Sequence, residues 1–384
     1  MKPLPPSDSQ FSDIQATLKK FYRQEVLPLR DEMDQNPEVC RQLMKRLGGL
    51  GYLTPDFPEE YGGLGGTREL RAMMGTEACR ISPSLSLSIG AHGLLCGGTI
   101  AAFGSKEQKE RYLPKLASGE FIGAWGVTEP GAGSDVGGMA TLATLKGEHY
   151  LLKGNKTFIT NAPICDVVVV FAKTGQDANT ITGFILEKGQ EGLAFGKAIG
   201  KFGMEGSPTG DLYLDNVKVA RSHVLGEPGS GFKQIKAIFN NERMYAGCAA
   251  IAVMEHCLET SLKYASQRKA FGEPIMAYQA IQLKIAQIYA KISMTEAAAK
   301  ELYGMSEDDP RFHMKASALK IFASQWAVES CSETMQVLGG LGYTKESDIG
   351  RFLRDSKLYE IGGGTSDIQH LIIFKGLAKS LRPA

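Results

Sequence analysis

The order of periodicities along this chain limits its fold more than any single residue does. From about Ser9 to Leu116, apolar residues recur three and four apart, as in Phe11 to Leu27 and Val39 to Leu50, which is helical spacing. Gly51 to Gly66, with Pro55 and Pro58, reads as a loop. Helical patterning returns in Leu70 to Cys79 and, after a stretch of small residues, in Ser105 to Leu116. Near Phe121 the texture changes to strand-like runs: Tyr150 to Thr160, Val167 to Phe171, Thr182 to Glu187 and Asp211 to Val217. Val167 to Val170 does not alternate, which predicts a strand buried on both faces. From Gly231 the helical period holds to the end, over Gly231 to Tyr264, Ala277 to Tyr303, His313 to Val337 and Ile368 to Leu381. Helices, then strands, then longer helices is not the βαβ alternation of a dinucleotide-binding fold. It predicts an α+β multidomain chain: an α-helical domain over 1–120, a β-domain over 121–230 and a helical bundle over 231–384.

Composition removes several function classes. Lys plus Arg (43) nearly cancels Asp plus Glu (42), and no basic stripe suggests a nucleic-acid footprint. Seven scattered cysteines form no CxxC pair and no zinc-spaced cluster, so no metal site is expected, and they read as reduced thiols of a cytoplasmic protein. The start, Met1 to Pro6, has no apolar signal core, and no run approaches a membrane span. An organelle protein stripped of its leader would begin the same way.

Five segments are candidates for chemistry, and each also has a plain structural reading. Gly126 to Gly138 contains five glycines with Thr128 and Ser134, a loop able to lie against a flat heterocycle or a phosphate. It lacks the Lys-Ser/Thr ending of a P-loop and the strand–GxGxxG–helix context of a dinucleotide site. Lys156 to Asn161 reads as a strand that can present an aromatic face and a Thr hydroxyl. Arg268 to Gly272 reads as a basic helix end with a Gly stop. Gln336 to Gly342 and Tyr359 to Gln369 are Gly-rich junctions. His92 stands near no nucleophile or metal-ligand motif, so a packed, hydrogen-bonded histidine is expected. Glu242 is the only carboxylate between Gly231 and Met254, either a surface charge or a desolvated base with a raised pKa.

Taken in order, these segments resemble the acyl-CoA dehydrogenases across essentially the whole chain. Gly126 to Gly138 fits the first signature of that family, and Gln336 to Asp355 fits the second, with Glu346, Arg351 and Asp355 at the expected intervals. The resemblance implies an α-helical N-terminal domain, a central β-domain and a C-terminal four-helix bundle, assembled as a homotetramer with one FAD per subunit. It implies that Trp125, Val127 and Thr128 contact the flavin, and that Phe158, Ile159 and Thr160 cover its ring. Arg268, Phe271, Gln336, Gly339 and Gly340 match positions that reach FAD bound mainly by a neighbouring subunit. Thr365 and Asp367 match those holding its pyrophosphate and adenosine side, and Ser134 and Arg243 match residues at the acyl-CoA site.

The family's reaction needs a base for the α-proton while a hydride leaves the β-carbon. Most members carry that base in a C-terminal Tyr-Glu-Gly-Thr-Ser, where this chain has Gly362 to Ser366 and the usual glutamate is Gly363. Glu360 lies three positions too early and matches a structural site. The isovaleryl-CoA dehydrogenase branch instead takes its base from the long helix, directly before an arginine, which here is Glu242 before Arg243. That branch also has a run like Tyr359 to Ser366 and an Ala-His like Ala91-His92.

Substrate choice follows from volume. Gly362 stands where straight-chain enzymes carry a tyrosine, Gly363 removes another side chain, and Ala246 is smaller than the leucine of the isovaleryl enzyme. With Tyr359, these residues are expected to shape a pocket for branched or cyclic acyl groups. The leading expectation is α,β-dehydrogenation of such an acyl-CoA by Glu242, with an electron-transfer flavoprotein as partner. The alternatives are oxidation of a carrier-protein-bound aminoacyl thioester such as prolyl, enoyl-CoA reduction, or a flavin-less binding homologue.

Overall fold

The computed structural model describes residues 8–175 and 177–381. Met1 to Pro6, the segment on which the leader expectation rests, lies outside the described residues. The chain packs as two compact units. The first comprises the chain up to Met74, Ser84–Lys201 and Glu205–Glu242; the second comprises Gly75–Pro83, Phe202–Met204 and the chain from Arg243.

In the first unit, local signals start the helices as expected. Helices α1 (Asp8–Phe21) and α2 (Pro37–Gly49) lie in the first helical block. Asn36 caps α2 by accepting a bond from the Glu38 N–H, with Pro37 at its first position, and Val39, Cys40, Leu43, Met44 and Leu47 form its buried face. Helix α3 (Arg68–Cys79) begins in this unit. Helix α5 (Lys106–Ala117) opens with a reciprocal Ser105–Gln108 capping box.

The small-residue stretch between α3 and α5 is itself a helical run, α4 (Pro83–Phe103), with a π-helical middle over Gly90–Gly97. Its glycines permit close packing: a Cβ on Gly97 would sit 2.2 Å from Cζ of Phe57. By length and composition α4 could cross a membrane, which corrects the expectation that no run comes near that threshold. Since 67% of its most apolar window is buried, it is a core helix.

Eight strands make one sheet in the order β6 (Leu193–Phe195), β7 (Thr209–Ala220), β3 (His149–Thr160), β2 (Leu142–Lys146), β4 (Val167–Lys173), β5 (Ile181–Glu187), β8 (Val224–Leu225), with β1 (Gly123–Gly126) parallel to β4. The Val167–Val170 prediction holds. Val167, Val169 and Phe171 pack with Trp125, Leu116 and Ile235, whereas Val168, Val170 and Ala172 pack with Leu152, Leu212 and Val217.

Helix α6 (Gly231–Gln267) is continuous, with its first twelve positions in the first unit and the rest in the second. The second unit also holds α7 (Gln279–Gly304), α8 (Phe312–Leu338), α9 (Ile349–Ser356) and α10 (Ser366–Ser380). The four long helices are those expected of the bundle. Gly247 lets α6 approach α8, since a Cβ there would lie 2.7 Å from Leu319 Cγ. Thr365 caps α10 by accepting from the Ile368 N–H. All seven cysteines are buried and none is in a disulfide.

Candidate active site

The first unit carries the candidate site residues of β1, β3 and the start of α6. Strand β1 is parallel to β4 and entirely buried, so the Trp125 ring is wedged into the core. It meets Phe171 and Phe239 edge-on, with centroids 5.4 and 5.2 Å away. Its indole Nε1 is buried with no hydrogen-bond partner among the described residues. A buried N–H left this way is costly unless something else accepts from it.

Past Val127, which is buried, the chain enters the glycine loop, where Ser134 is exposed. The Thr128 carbonyl accepts from the Thr157 N–H at 2.9 Å, tying this loop to β3. The β3–β7 register slips between Lys156 and Ile159, and within that slip Phe158 has φ 57° and is 66% exposed. A bulky residue in the left-handed region is strained, and exposing an aromatic ring adds a second cost. Both are offset if a flat ligand lies against it. Ile159 is buried, and Thr160, half-buried, ends the strand opposite Thr209.

Glu242 follows on α6. Ile235 and Ile238 enter the core beside Trp125, and Phe239 packs on the Trp125 ring. Asn241 accepts from Arg71 Nη2 at 3.3 Å, and Arg71 is ion-paired to Asp56 through Nη1. Glu242, one helical turn beyond Phe239, is half-buried with Oε2 shielded from solvent. It is therefore not a fully solvated surface charge.

In the second unit, Arg243 and Ala246 are buried on the continuation of α6. Tyr359 is buried, with its hydroxyl 3.4 Å from Cys79 Sγ. Glu360 is ion-paired to Lys357, consistent with a structural part. The Gly362–Gly364 turn is pinned by Gln369 Nε2, which donates to the Gly363 and Gly364 carbonyls at 3.2 and 2.8 Å, and by Lys320 Nζ, 2.8 Å from the Gly364 carbonyl. Gly363 (φ 65°) and Gly364 (φ 90°) are left-handed, so the turn favours glycine. Asp367 is exposed in the first turn of α10.

Arg268, exposed, directly follows α6 and leads into a hairpin of Lys269–Ala270 with Glu273–Pro274. Phe271 (φ 51°) and Gly272 (φ 90°) form its turn, and the Phe271 ring is 97% exposed. Gln336, Gly339 and Gly340 are also exposed. A Cβ on either of those glycines would meet nothing within 4 Å.

Two residues matter more than the sequence suggested. Lys156 is wholly buried, and its Nζ donates to Glu129 Oε1 at 2.7 Å and to the Val127 carbonyl at 3.2 Å. Burial pulls the Lys156 ammonium down to about 8, against the stabilising charge of Glu129. Burial pushes the Glu129 carboxyl up, but Lys156 and the neighbouring N–H donors outweigh it and hold the group below its usual value. Both residues lie inside quoted motifs, yet a charge seen in sequence does not reveal that it points inward. His92 is the structural histidine expected: its Nε2–H donates to the Leu116 carbonyl at 3.0 Å while Nδ1 accepts from the Gly123 N–H at 2.9 Å. Burial holds its pKa down at about 4, so it is neutral.

Three family domains match the chain in succession: acyl-CoA dehydrogenase N-terminal over 9–120, middle over 124–217 and C-terminal over 229–378. The chain belongs to the acyl-CoA dehydrogenase family. It is 37% identical to a probable acyl-CoA dehydrogenase, YngJ, of Bacillus subtilis, covering 95% of this chain and 97% of that one. It is 36% identical to a 3-(aryl)acrylate reductase of Clostridium sporogenes (95% and 98%), and 37% identical to a mitochondrial isovaleryl-CoA dehydrogenase of Pongo abelii (94% and 86%). Among solved structures it superposes on an acyl-CoA dehydrogenase of Bacillus anthracis complexed with FAD, with TM-score 0.91 and 33% identity over 99% of this chain and 69% of that one.

As a member of this family, the acyl-CoA dehydrogenase described here is a flavin-dependent oxidoreductase with FAD as cofactor. Its residues suit a flavin. The orphaned Trp125 Nε1–H can donate to a heterocycle, and the exposed Phe158 ring offers a flat face.

Proposed function

We propose that this acyl-CoA dehydrogenase forms an α,β-double bond in a branched or cyclic acyl-CoA, with Glu242 as the base. The observation carrying this is that Phe239, packed on Trp125, places Glu242 one turn along α6 while the alternative position is Gly363, in a left-handed turn. Bound FAD supplies the hydride acceptor. Trp125, Val127 and Thr128 would contact it, and Phe158, Ile159 and Thr160 would cover its ring. Thr365 and Asp367 would hold the pyrophosphate and adenosine side, since the first N–H groups of α10 favour an anion. Ser134 and Arg243 contact the acyl-CoA. The Glu242 carboxylate takes the α-proton, which requires it ionised and within hydrogen-bond reach of the α-carbon. Tyr359 contributes a buried ring, and Gly362, Gly363 and Ala246 leave room for branching.

Arg268, Phe271, Gln336, Gly339 and Gly340 are proposed to meet the cofactor of a neighbouring copy in a homotetramer. Their exposure fits this, as do the bare apolar residues Leu283 and Met294 on α7 and Phe374 and Leu377 on α10. An electron-transfer flavoprotein is the proposed electron acceptor. Seven buried cysteines, none in a disulfide, suit a reducing compartment, cytoplasm or organelle matrix.

The test is anaerobic mixing of the yellow protein with a panel of acyl thioesters while following flavin absorbance. Fastest bleaching by branched or cyclic acyl-CoA supports the reading; bleaching only by carrier-protein thioesters refutes it. The likeness to a 3-(aryl)acrylate reductase favours one second reading, the reverse reaction. Reoxidation of the reduced flavin by enoyl thioesters, without bleaching by saturated ones, would establish that direction.

A further inference from the structure

A glycine-rich loop is a poor platform for a cofactor unless something outside it fixes its path. Gly126 to Gly138 holds five glycines, and fixing such residues costs more backbone entropy than fixing any others. Fixation comes from beneath the loop. Lys156 Nζ, carried by β3, reaches the Val127 carbonyl on the way into the loop and Glu129 Oε1 within it. The two Glu129 oxygens reach past the loop and accept from the Ala140 N–H at 2.5 Å and the Thr141 N–H at 3.0 Å. Between these, Glu129 and Ala132 exchange both backbone hydrogen bonds at 3.1 Å, closing the turn. Pro130 further confines Glu129 to extended backbone.

On the β3 side, the next residue, Thr157, donates its N–H to Thr128 and its hydroxyl to Asp211 Oδ1 at 2.6 Å. Phe158 then turns outward in its strained conformation. The wholly buried ammonium thus lies at the root of both the loop and the bulge. A buried ion pair gives little net stability over an apolar replacement, but it enforces one geometry. The carboxylate fills both ends of a span that glycine leaves loose.

We propose that the Lys156–Glu129 pair is the positioning device of the flavin-binding face, holding Val127, Thr128 and Phe158 in their ligand-ready arrangement before FAD arrives. The inference rests on the flavin reading of those three residues, but not on Glu242. Lys156 and Glu129 touch neither substrate nor cofactor in this account; they act through the residues they hold.

The decisive variant is the neutral double K156M/E129Q, which keeps side-chain length and leaves no lone buried charge. FAD affinity is measured by titrating the apoprotein, with the visible circular dichroism of bound flavin and the melting temperature read on the same samples. The proposal expects FAD affinity at least tenfold weaker and an altered flavin circular dichroism, at a melting temperature within a few degrees of wild type. FAD affinity within twofold of wild type and an unchanged flavin spectrum would overturn it, leaving the Glu242 reading intact. Should the double variant not fold, amide exchange of the wild-type apoprotein decides. Slow exchange at Ala140, Thr141 and Thr157 before FAD is added supports a preformed clamp; protection that appears only with FAD contradicts it. A wild-type protein that binds no FAD would sink both this proposal and the flavin assignments.

Discussion

The Phe239 ring meets the Trp125 ring edge-on at 5.2 Å, one helical turn before Glu242. That contact ties the register of α6 to the strand that leads into the glycine loop. It fixes the position of Glu242 along α6 relative to β1. Substituting Phe239→Leu should keep the fold, at a loss of roughly 1–2 kcal/mol for a half-buried aromatic contact. Flavin reduction by substrate should slow about ten- to a hundredfold, because a small misplacement of the base is amplified in rate. Stopped-flow reduction beside thermal melts measures both. An unchanged rate would mean that Phe239 does not set the position of Glu242.

Gly362 permits a clean test of pocket volume. A Cβ there would lie 3.5 Å from the Leu358 carbonyl and 3.8 Å from Leu358 Cγ, ordinary contact, and its backbone is not left-handed. Gly362→Ala should therefore melt like the parent. If the position faces the acyl group, kcat/KM for branched or cyclic acyl-CoA should fall relative to short straight chains by about 1–3 kcal/mol, roughly five- to 150-fold. Equal losses for both substrate classes would remove Gly362 from the pocket.

The buried His92 sets an acid limit. Its folded pKa, about 4, lies below the ordinary value of 6.5 because burial disfavours the charged ring. Between those values the unfolded chain takes a proton that the folded one refuses. The stabilisation is complete above pH 6.5 and is lost as pH falls toward 4, about 1.4 kcal/mol per unit. His92→Gln should be less stable at pH 7, where the Leu116–Gly123 bridge is weakened, yet lose less between pH 6.5 and 4. Urea melts across that range read the slope directly.

The buried thiols set an alkaline limit. Burial pushes Cys40, Cys79 and Cys96 up to about 12 from 9.0. Below pH 9 neither state ionises; above it the unfolded chain releases protons first, so stability falls as pH rises toward 12. Each thiol contributes a slope of about 1.4 kcal/mol per pH unit. Cys40→Ala should cost stability at pH 7 through lost packing but show a shallower decline above pH 9. An unchanged decline would mean that the Cys40 thiol ionises while folded.

Much of the fold was legible because period and punctuation are local. The four long helices of the bundle, β3, β4 and β7 could be read from spacing, and Val167–Val170 proved buried on both faces as its lack of alternation implied. Helix α4 was not read, since its glycines and serines are weak helix formers that become helical when packed against partners such as Phe57. The short strands β1 and β8 exist through pairing with distant segments, a relationship that no local window contains. In the candidate site, Trp125, Phe158 and Glu242 lay in recognisable runs. The Lys156–Glu129 pair was hidden because its partners are 27 positions apart and only the fold turns both inward.

On the proposed mechanism, Glu242 removes the α-proton. The most direct test of that step is the rate of anaerobic flavin reduction by a good acyl-CoA substrate in the Glu242→Gln variant, with FAD content checked by absorbance. Full FAD occupancy is expected, with a rate constant lowered about a thousandfold, within the range a general base supplies. A fully flavinylated variant that bleaches at near wild-type speed would contradict it.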